Sequence, residues 1–238
     1  MHWTLPLSMT VFLALAPQDS KPASRPDPTA NLRAWQLVFL KPVKPLPKDA
    51  PEMAAHMAFL AGLLKDQKAA ILGPFGNSTE YAGVLILDVK TPAAAQALMA
   101  EEPTVKAGYM AAEVHPWLAS GENFGPAANG LQELTACTFG ILRRPKDAPD
   151  KSPQELDELQ KGHLANIVAM AQSGELFGAG PMLENGPIRG LLLFRTTDHK
   201  RIRELVARDP AVKAGRLALE LLSWTVPKGC FTAAAKDR

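Results

Sequence analysis

The sequence predicts an α+β protein in which one β-α-β-β-α-β unit is built twice. Three observations carry that prediction. Residues 56–117 recur without a gap at 163–224, 107 positions further on, and 16 of the 62 aligned positions are identical. A constant period of that length marks a duplicated domain rather than a layer of a solenoid. Each copy alternates short β-branched or aromatic runs with segments of helical apolar spacing. The shared residues also punctuate the elements: Gly73-Pro74 and Gly180-Pro181, Gly83 and Gly190, Val105-Lys-Ala-Gly108 and Val212-Lys-Ala-Gly215.

Taken in order, Trp35–Leu40 reads as a strand followed by a Pro-rich loop. Residues 52–65 read as a helix, with Met53, Met57, Leu60 and Leu64 at amphipathic spacing. Lys68–Leu72 is a short strand stopped by Gly73-Pro74, and Gly83–Val89 a strongly apolar one. Thr91-Pro92 opens a second helix, since Thr suits the N-cap and Pro the first turn. A last strand runs from Ala107 to Trp117. The second copy gives strand Cys137–Arg144, helix Pro153–Ser173, strands Leu176–Ala179 and Gly190–Thr196, helix Asp198–Ala207 and strand Leu217–Val226. The resulting organisation is residues 1–30 as leader and spacer, repeats at 31–118 and 136–230, a Gly/Asn/Pro-rich linker at 119–135 and a tail at 231–238. Val84-Leu-Ile-Leu87 and Leu191-Leu-Leu-Phe194 are apolar at successive positions, which predicts burial of both faces of each sheet. Helices cover one face, so the partner copy should cover the other, leaving a cavity between sheets and helices.

Composition excludes several functions. The formal net charge of +2 gives no electrostatic case for a nucleic acid or an anionic membrane. Leu5–Ala16 is too short to span a bilayer but has the length of a signal-peptide core, ending in Ala14-Leu-Ala16. Met1-His-Trp3 brings no Lys or Arg and Pro17 follows the best cleavage point. Export to a periplasmic or extracellular location is the expectation, with a cytoplasmic protein as the alternative. The mature form is expected to have no membrane partner and to be a monomer with an internal pseudo-dimer. Cys137 and Cys230 bracket the second copy, and no further Cys or His stands at metal-finger spacing, so no metal site is expected.

The helix-opening His-x-Ala, the strand-ending Gly-Pro, the Asp-Pro-x-Val-x-Ala-Gly turn and the Glu-x-x-x-Trp last strand, in that order in both copies, resemble the YCII-related family. The resemblance implies a ferredoxin-like fold for each copy and a dimeric α+β barrel, here formed within one chain. It also implies a His–carboxylate dyad as a general acid/base pair, on His163 with Asp209 and on His56 with Glu102. Copy one departs from the pattern by carrying Glu for Asp. In that fold Gly73-Pro74 and Gly180-Pro181 lie beside the pocket as candidate substrate contacts, although a turn before a hairpin is the favoured explanation of them. The last strand lies beside the first, so Cys137 and Cys230 could meet in a disulfide; two free thiols are the alternative.

Chemistry accounts for these residue types. An imidazole titrates near neutral pH, and a carboxylate on one ring nitrogen fixes the tautomer and leaves the other for a substrate. His163 shares the stripe Leu156, Leu159, Ile167 and Met170. The same pairs could instead pin helix ends, and Asp209 before Pro210 could simply close a turn. Lys106, Lys213, His115 and His199 read as solvated, Trp117 and Trp224 as packing residues at strand ends. Haem-binding relatives of the barrel exist, but nothing singles out an axial ligand, so no cofactor is expected. The expected function is a cofactor-independent lyase or isomerase of a small molecule. The alternative is a non-catalytic module binding a small ligand in the same cavity.

Overall fold

The computed structural model describes residues 31–231. The apolar run Leu5–Ala16 and the spacer after it lie outside the described residues. In the first repeat, β1 (Leu32–Pro42), β2 (Ala69–Pro74), β3 (Gly83–Leu87) and β4 (Met110–Ser120) form an antiparallel sheet of order β2-β3-β1-β4. Helices α1 (Pro51–Lys65), α2 (Pro92–Ala100) and the one-turn α3 (Pro103–Lys106) accompany it. The second repeat follows the same plan with β5 (Leu134–Arg143), α4 (Pro153–Gln172), β6 (Leu176–Pro181) and β7 (Ile188–Phe194). Then come α5 (His199–Val206), α6 (Pro210–Lys213) and β8 (Ala218–Pro227), giving the order β6-β7-β5-β8. Among the described residues, no helix is long and apolar enough to cross a membrane.

Local chemistry sets the helix starts. Thr91 accepts a hydrogen bond from the Ala94 amide, and Ser152 forms a reciprocal capping box with Glu155 ahead of Pro153. The strand side chains then divide by parity. Val84 and Ile86 point between the two sheets, while Leu85 and Leu87 pack under the first repeat's helices. Leu191 and Leu193 against Leu192 and Phe194 repeat that division in β7. This two-sided demand explains the unbroken apolar runs, and a one-residue slip would exchange the two sets.

The sheets meet face to face, and their edges also join. At one seam the Gly76 amide donates to Ser223 O at 2.9 Å; at the other the Leu183 amide donates to Pro116 O at 2.9 Å. Single bridges, Phe75 with Trp224 and Trp117 with Met182, mark the same seams. β2 thus runs beside β8 and β4 beside β6, so the two four-stranded sheets adjoin at both seams in a barrel arrangement. Trp117 Nε1 donates to Gly180 O at 3.0 Å and Trp224 Nε1 to Gly73 O at 3.2 Å. Each bond crosses from one repeat to the other, and the pair reflects the internal two-fold relation. A Cβ on Gly180 would stand 1.7 Å from Leu118 O, and one on Gly73 would stand 1.8 Å from Thr225 O. Glycine is required because backbone meets backbone there.

The structure differs from the sequence expectation at several points. α1 turns Leu60 and Leu63 inward and leaves Met53 and Met57 exposed, because its apolar residues surround the axis and define no single face. The Glu102-Pro103 and Asp209-Pro210 segments, expected as turns, wind into the one-turn helices α3 and α6. The space between the sheets is filled by Phe39, Phe139, Trp117 and Trp224, and the cavity described below lies outside it, beside α4. His115, expected at the surface, is half-buried against the edge of Phe39 and bonded through Nδ1 to Glu184 of the other repeat. Phe124 of the linker meets the Trp35 ring edge-on at 4.9 Å. Phe231, placed in the tail, stacks on Phe177 at 4.4 Å. Cys137 and Cys230 are free thiols, both buried. Burial pushes Cys137 up to about 12, and burial followed by the charge of Cys137 pushes Cys230 up as well.

Gly180→Ala is expected to lower stability by on the order of 4 kcal/mol, because no rotamer relieves a Cβ against a carbonyl of the opposite repeat. Gly186, with nothing within 4 Å of its added Cβ, should accept alanine within about 0.5 kcal/mol. Urea unfolding of the two variants checks the pair, and equal losses would contradict the seam.

Candidate functional site

Two His–carboxylate pairs occupy equivalent places. His163 Nδ1 lies 2.6 Å from Asp209 Oδ2, and His56 Nδ1 lies 2.8 Å from Glu102 Oε1. Each histidine projects from the first helix of its repeat, and each carboxylate is the N-cap of the one-turn helix before the last strand. Asp209 Oδ1 accepts from the Ala211 amide at 2.8 Å. Glu102 Oε2 accepts from the Val105 amide at 2.9 Å and from Thr104 Oγ1 at 2.5 Å. Each carboxylate therefore caps a helix with one oxygen and orients an imidazole with the other, so the structural and chemical readings of the dyad coexist in one side chain.

Gly162 makes room for the second pair. A Cβ there would stand 2.7 Å from Pro210 Cγ, so the glycine lets α6 close on α4. Ala55 holds the matching position in repeat one, and there the carboxylate is Glu102. The extra methylene that distinguishes copy one offsets the extra methyl between its helices, and its hydrogen bond is kept.

The carboxylates are all but fully buried, and the balance of forces on each is legible. For Asp209, burial opposes ionisation, but the hydrogen bond and charge of His163 and the Ala211 and Val212 amides outweigh it and hold the carboxyl below its usual range. For Glu102, burial is outweighed by hydrogen bonds from His56, Thr104 and Val105, with the same net direction. With an ionised carboxylate on Nδ1, the neutral ring carries its proton there and presents an Nε2 lone pair.

His163 lines a cavity of about 520 Å3. The buried Leu142, Ile167, Ala179 and Leu192 line it, together with the exposed Leu156 and Leu164 of α4. Gly180 and Pro181 border it at the end of β6, and Leu32 reaches it from the first repeat. A space of this size and lining suits a small, mostly apolar molecule. Gly73 and Pro74 end β2 at the corresponding edge of the first sheet.

Sequence reading missed Arg144, Arg189 and Arg216, which line the same cavity. They are scattered along the chain and form no motif. The usable signal lay in the repeat itself: Ala82 and Tyr109 stand where the second copy has Arg189 and Arg216. The strand register likewise sets Pro42 opposite Arg144, since Leu40 pairs with Gly83 as Leu142 pairs with Gly190. No group of three or more His, Cys, Asp or Glu converges as a metal site would among the described residues.

Comparison with known proteins agrees with the duplicated architecture. A family model described as the YCII-related domain matches residues 36–118 and again 141–225. A chlorite dismutase double mutant from Candidatus Nitrospira defluvii superposes with a TM-score of 0.53 at 9% identity, covering 87% of this chain and 93% of its own. The same enzyme in complex with imidazole gives 0.52 at 9% identity, with 86% and 92% covered. At such identity the likeness is one of fold. No curated protein matches the chain.

Because folding lowers the Asp209 pKa, its contribution to stability is fully present above the unfolded value of about 3.9 and is lost as pH falls through the folded value. Asp209→Asn keeps a good N-cap but cannot titrate. Its unfolding midpoint in urea should therefore fall less than that of the wild type between about pH 5 and about pH 2.5. Parallel curves for the two proteins would contradict the assigned balance.

Proposed function

The chain belongs to the YCII-related family, whose domain it carries twice, and from that premise we propose that it is a small-molecule enzyme of lyase or isomerase type. Proton transfer by His163 is its chemical step. The observation that carries the reading is the geometry of His163: Nδ1 is engaged by a buried carboxylate held below its usual range, and the ring borders a cavity of small-molecule size.

The step follows from that arrangement. Nε2 accepts a proton from a carbon of the bound molecule. The C–H bond breaks, its electron pair moves toward an adjacent unsaturated group, and the ring becomes imidazolium. Asp209 stabilises that cation without taking the proton, as a carboxylate behind a catalytic imidazole does. Return of the same proton to a different carbon completes an isomerisation; its delivery to a departing group completes an elimination. Both balance without an external oxidant or reductant. A positioned acid/base of this kind supplies about 10²–10⁴-fold acceleration. The first repeat contributes the second wall of the barrel, and its own dyad acts chiefly as a brace for α1 and α3.

His163→Ala is expected to reduce turnover by roughly 10²–10⁴-fold while the melting temperature shifts by only a few degrees, and His56→Ala should retain most of the turnover. A non-catalytic binding module would instead show altered ligand affinity and no turnover to lose. A purely structural pair would show lower melting temperatures for both variants and unchanged ligand response. Either result would overturn the catalytic reading.

A further inference from the structure

We propose that the cavity beside α4 takes a small apolar molecule bearing a carboxylate, held by Arg144, Arg189 and Arg216 while His163 serves its reacting carbon. This rests on the proton-transfer reading of His163 and adds the substrate class.

Arg144, Arg189 and Arg216 line a cavity whose other walls are mainly aliphatic, with His163, Gln160 and a single carboxylate residue, Asp157, among the lining. Asp209 is engaged through Oδ2 by His163 and through Oδ1 by the Ala211 amide, and it is not among the residues lining the cavity. Elsewhere arginines hold carboxylates: Arg33 bonds Asp88 at 2.7 Å, Arg143 bonds Glu220 at 2.7 Å and Arg201 bonds Glu175 at 2.9 Å. Among the described residues neither Arg144 nor Arg189 makes such a pair. Arg216 is steadied through Nη1 by the Pro149 carbonyl at 2.6 Å, which fixes the head group and keeps its charge. The planar guanidinium fork matches a carboxylate in two-point contact, and aliphatic walls favour an organic anion over a fully hydrated inorganic one.

The two repeats make the comparison internal. They share the dyad, the carboxylate caps of the one-turn helices and the Gly-Pro strand ends, but Pro42, Ala82 and Tyr109 occupy the three arginine positions in repeat one. What the barrel needs for folding is present twice, and the cationic rim only once. The rim therefore belongs to a task of the second site, and its chemistry is anion recognition. Charge at that rim also favours the step itself, because the electron pair released at the reacting carbon moves into a group held beside fixed positive charge.

The test uses the full chain and titration calorimetry with benzoate, its neutral isostere benzamide, and inorganic phosphate. Benzoate should bind at least roughly tenfold more tightly than benzamide and more tightly than phosphate. The exposed double variant Arg144→Ala/Arg189→Ala should weaken benzoate by at least about tenfold and leave benzamide unchanged. Arg216→Lys, which retains charge but not the fork, should weaken benzoate by a smaller factor. Equal affinity for benzoate and benzamide, preference for phosphate, absence of benzoate binding, or unchanged binding in the double variant would each overturn the proposal. His163→Ala should leave benzoate affinity within about threefold. Failure of the proton-transfer reading would appear as retained turnover in that variant with carboxylate selectivity intact, whereas failure of the carboxylate assignment appears in binding alone.

Discussion

A four-stranded sheet with helices on one face is left with an apolar back and two edges whose backbone groups want partners. In this chain both needs are met by one contact, the approach of each repeat's strand end to the last strand of the other. The approach is so close that Gly73 and Gly180 leave no space for a side chain, their faces being taken by Thr225 O and Leu118 O. The indole N–H of Trp224 and of Trp117 then ties down the carbonyl of the same glycine. These two seams set the distance between the sheets, and with it the packing of Phe39 against Phe139. They also fix where β6 ends, and so where Gly180 and Pro181 border the cavity beside α4.

The dyad depends on a second economy. A one-turn helix cannot hold itself together by its own few hydrogen bonds, so its N-cap carries unusual weight. Asp209 and Glu102 fill that role and reach back to a histidine of the preceding long helix. Placement of the imidazole is thus enforced by the fold rather than left to the histidine's own rotamer. The glycine or alanine before the histidine and the length of the carboxylate are matched within each copy.

Much of this was legible in the sequence. The duplication is plain because Gly73, Pro74, Gly83 and Trp117 are seam and strand residues that recur at a constant offset. The strand runs revealed two-sided burial, and the His–carboxylate positions followed from their family resemblance. Less was legible where patterning is degenerate. The alanines and methionines of α1 surround its axis, so Met53 and Met57 looked like core although they are exposed, whereas Leu60 and Leu63 beside His56 are buried. His115 shares the face of the buried Trp117 two residues on along β4, and period two would have turned it inward. The three arginines come from a strand end, a hairpin and a turn that only the tertiary fold gathers around one cavity.

The covalent link between the halves has a consequence of its own. In a symmetric homodimer any residue gained at one site is gained at both, and a change that helps a pocket must be tolerated by its twin. Here the copies are written separately, so one half can specialise while the other conserves only what assembly demands. A relative that keeps both histidines is therefore not shown by them to have two working centres; the residues at positions 82, 109, 189 and 216 are the ones to inspect.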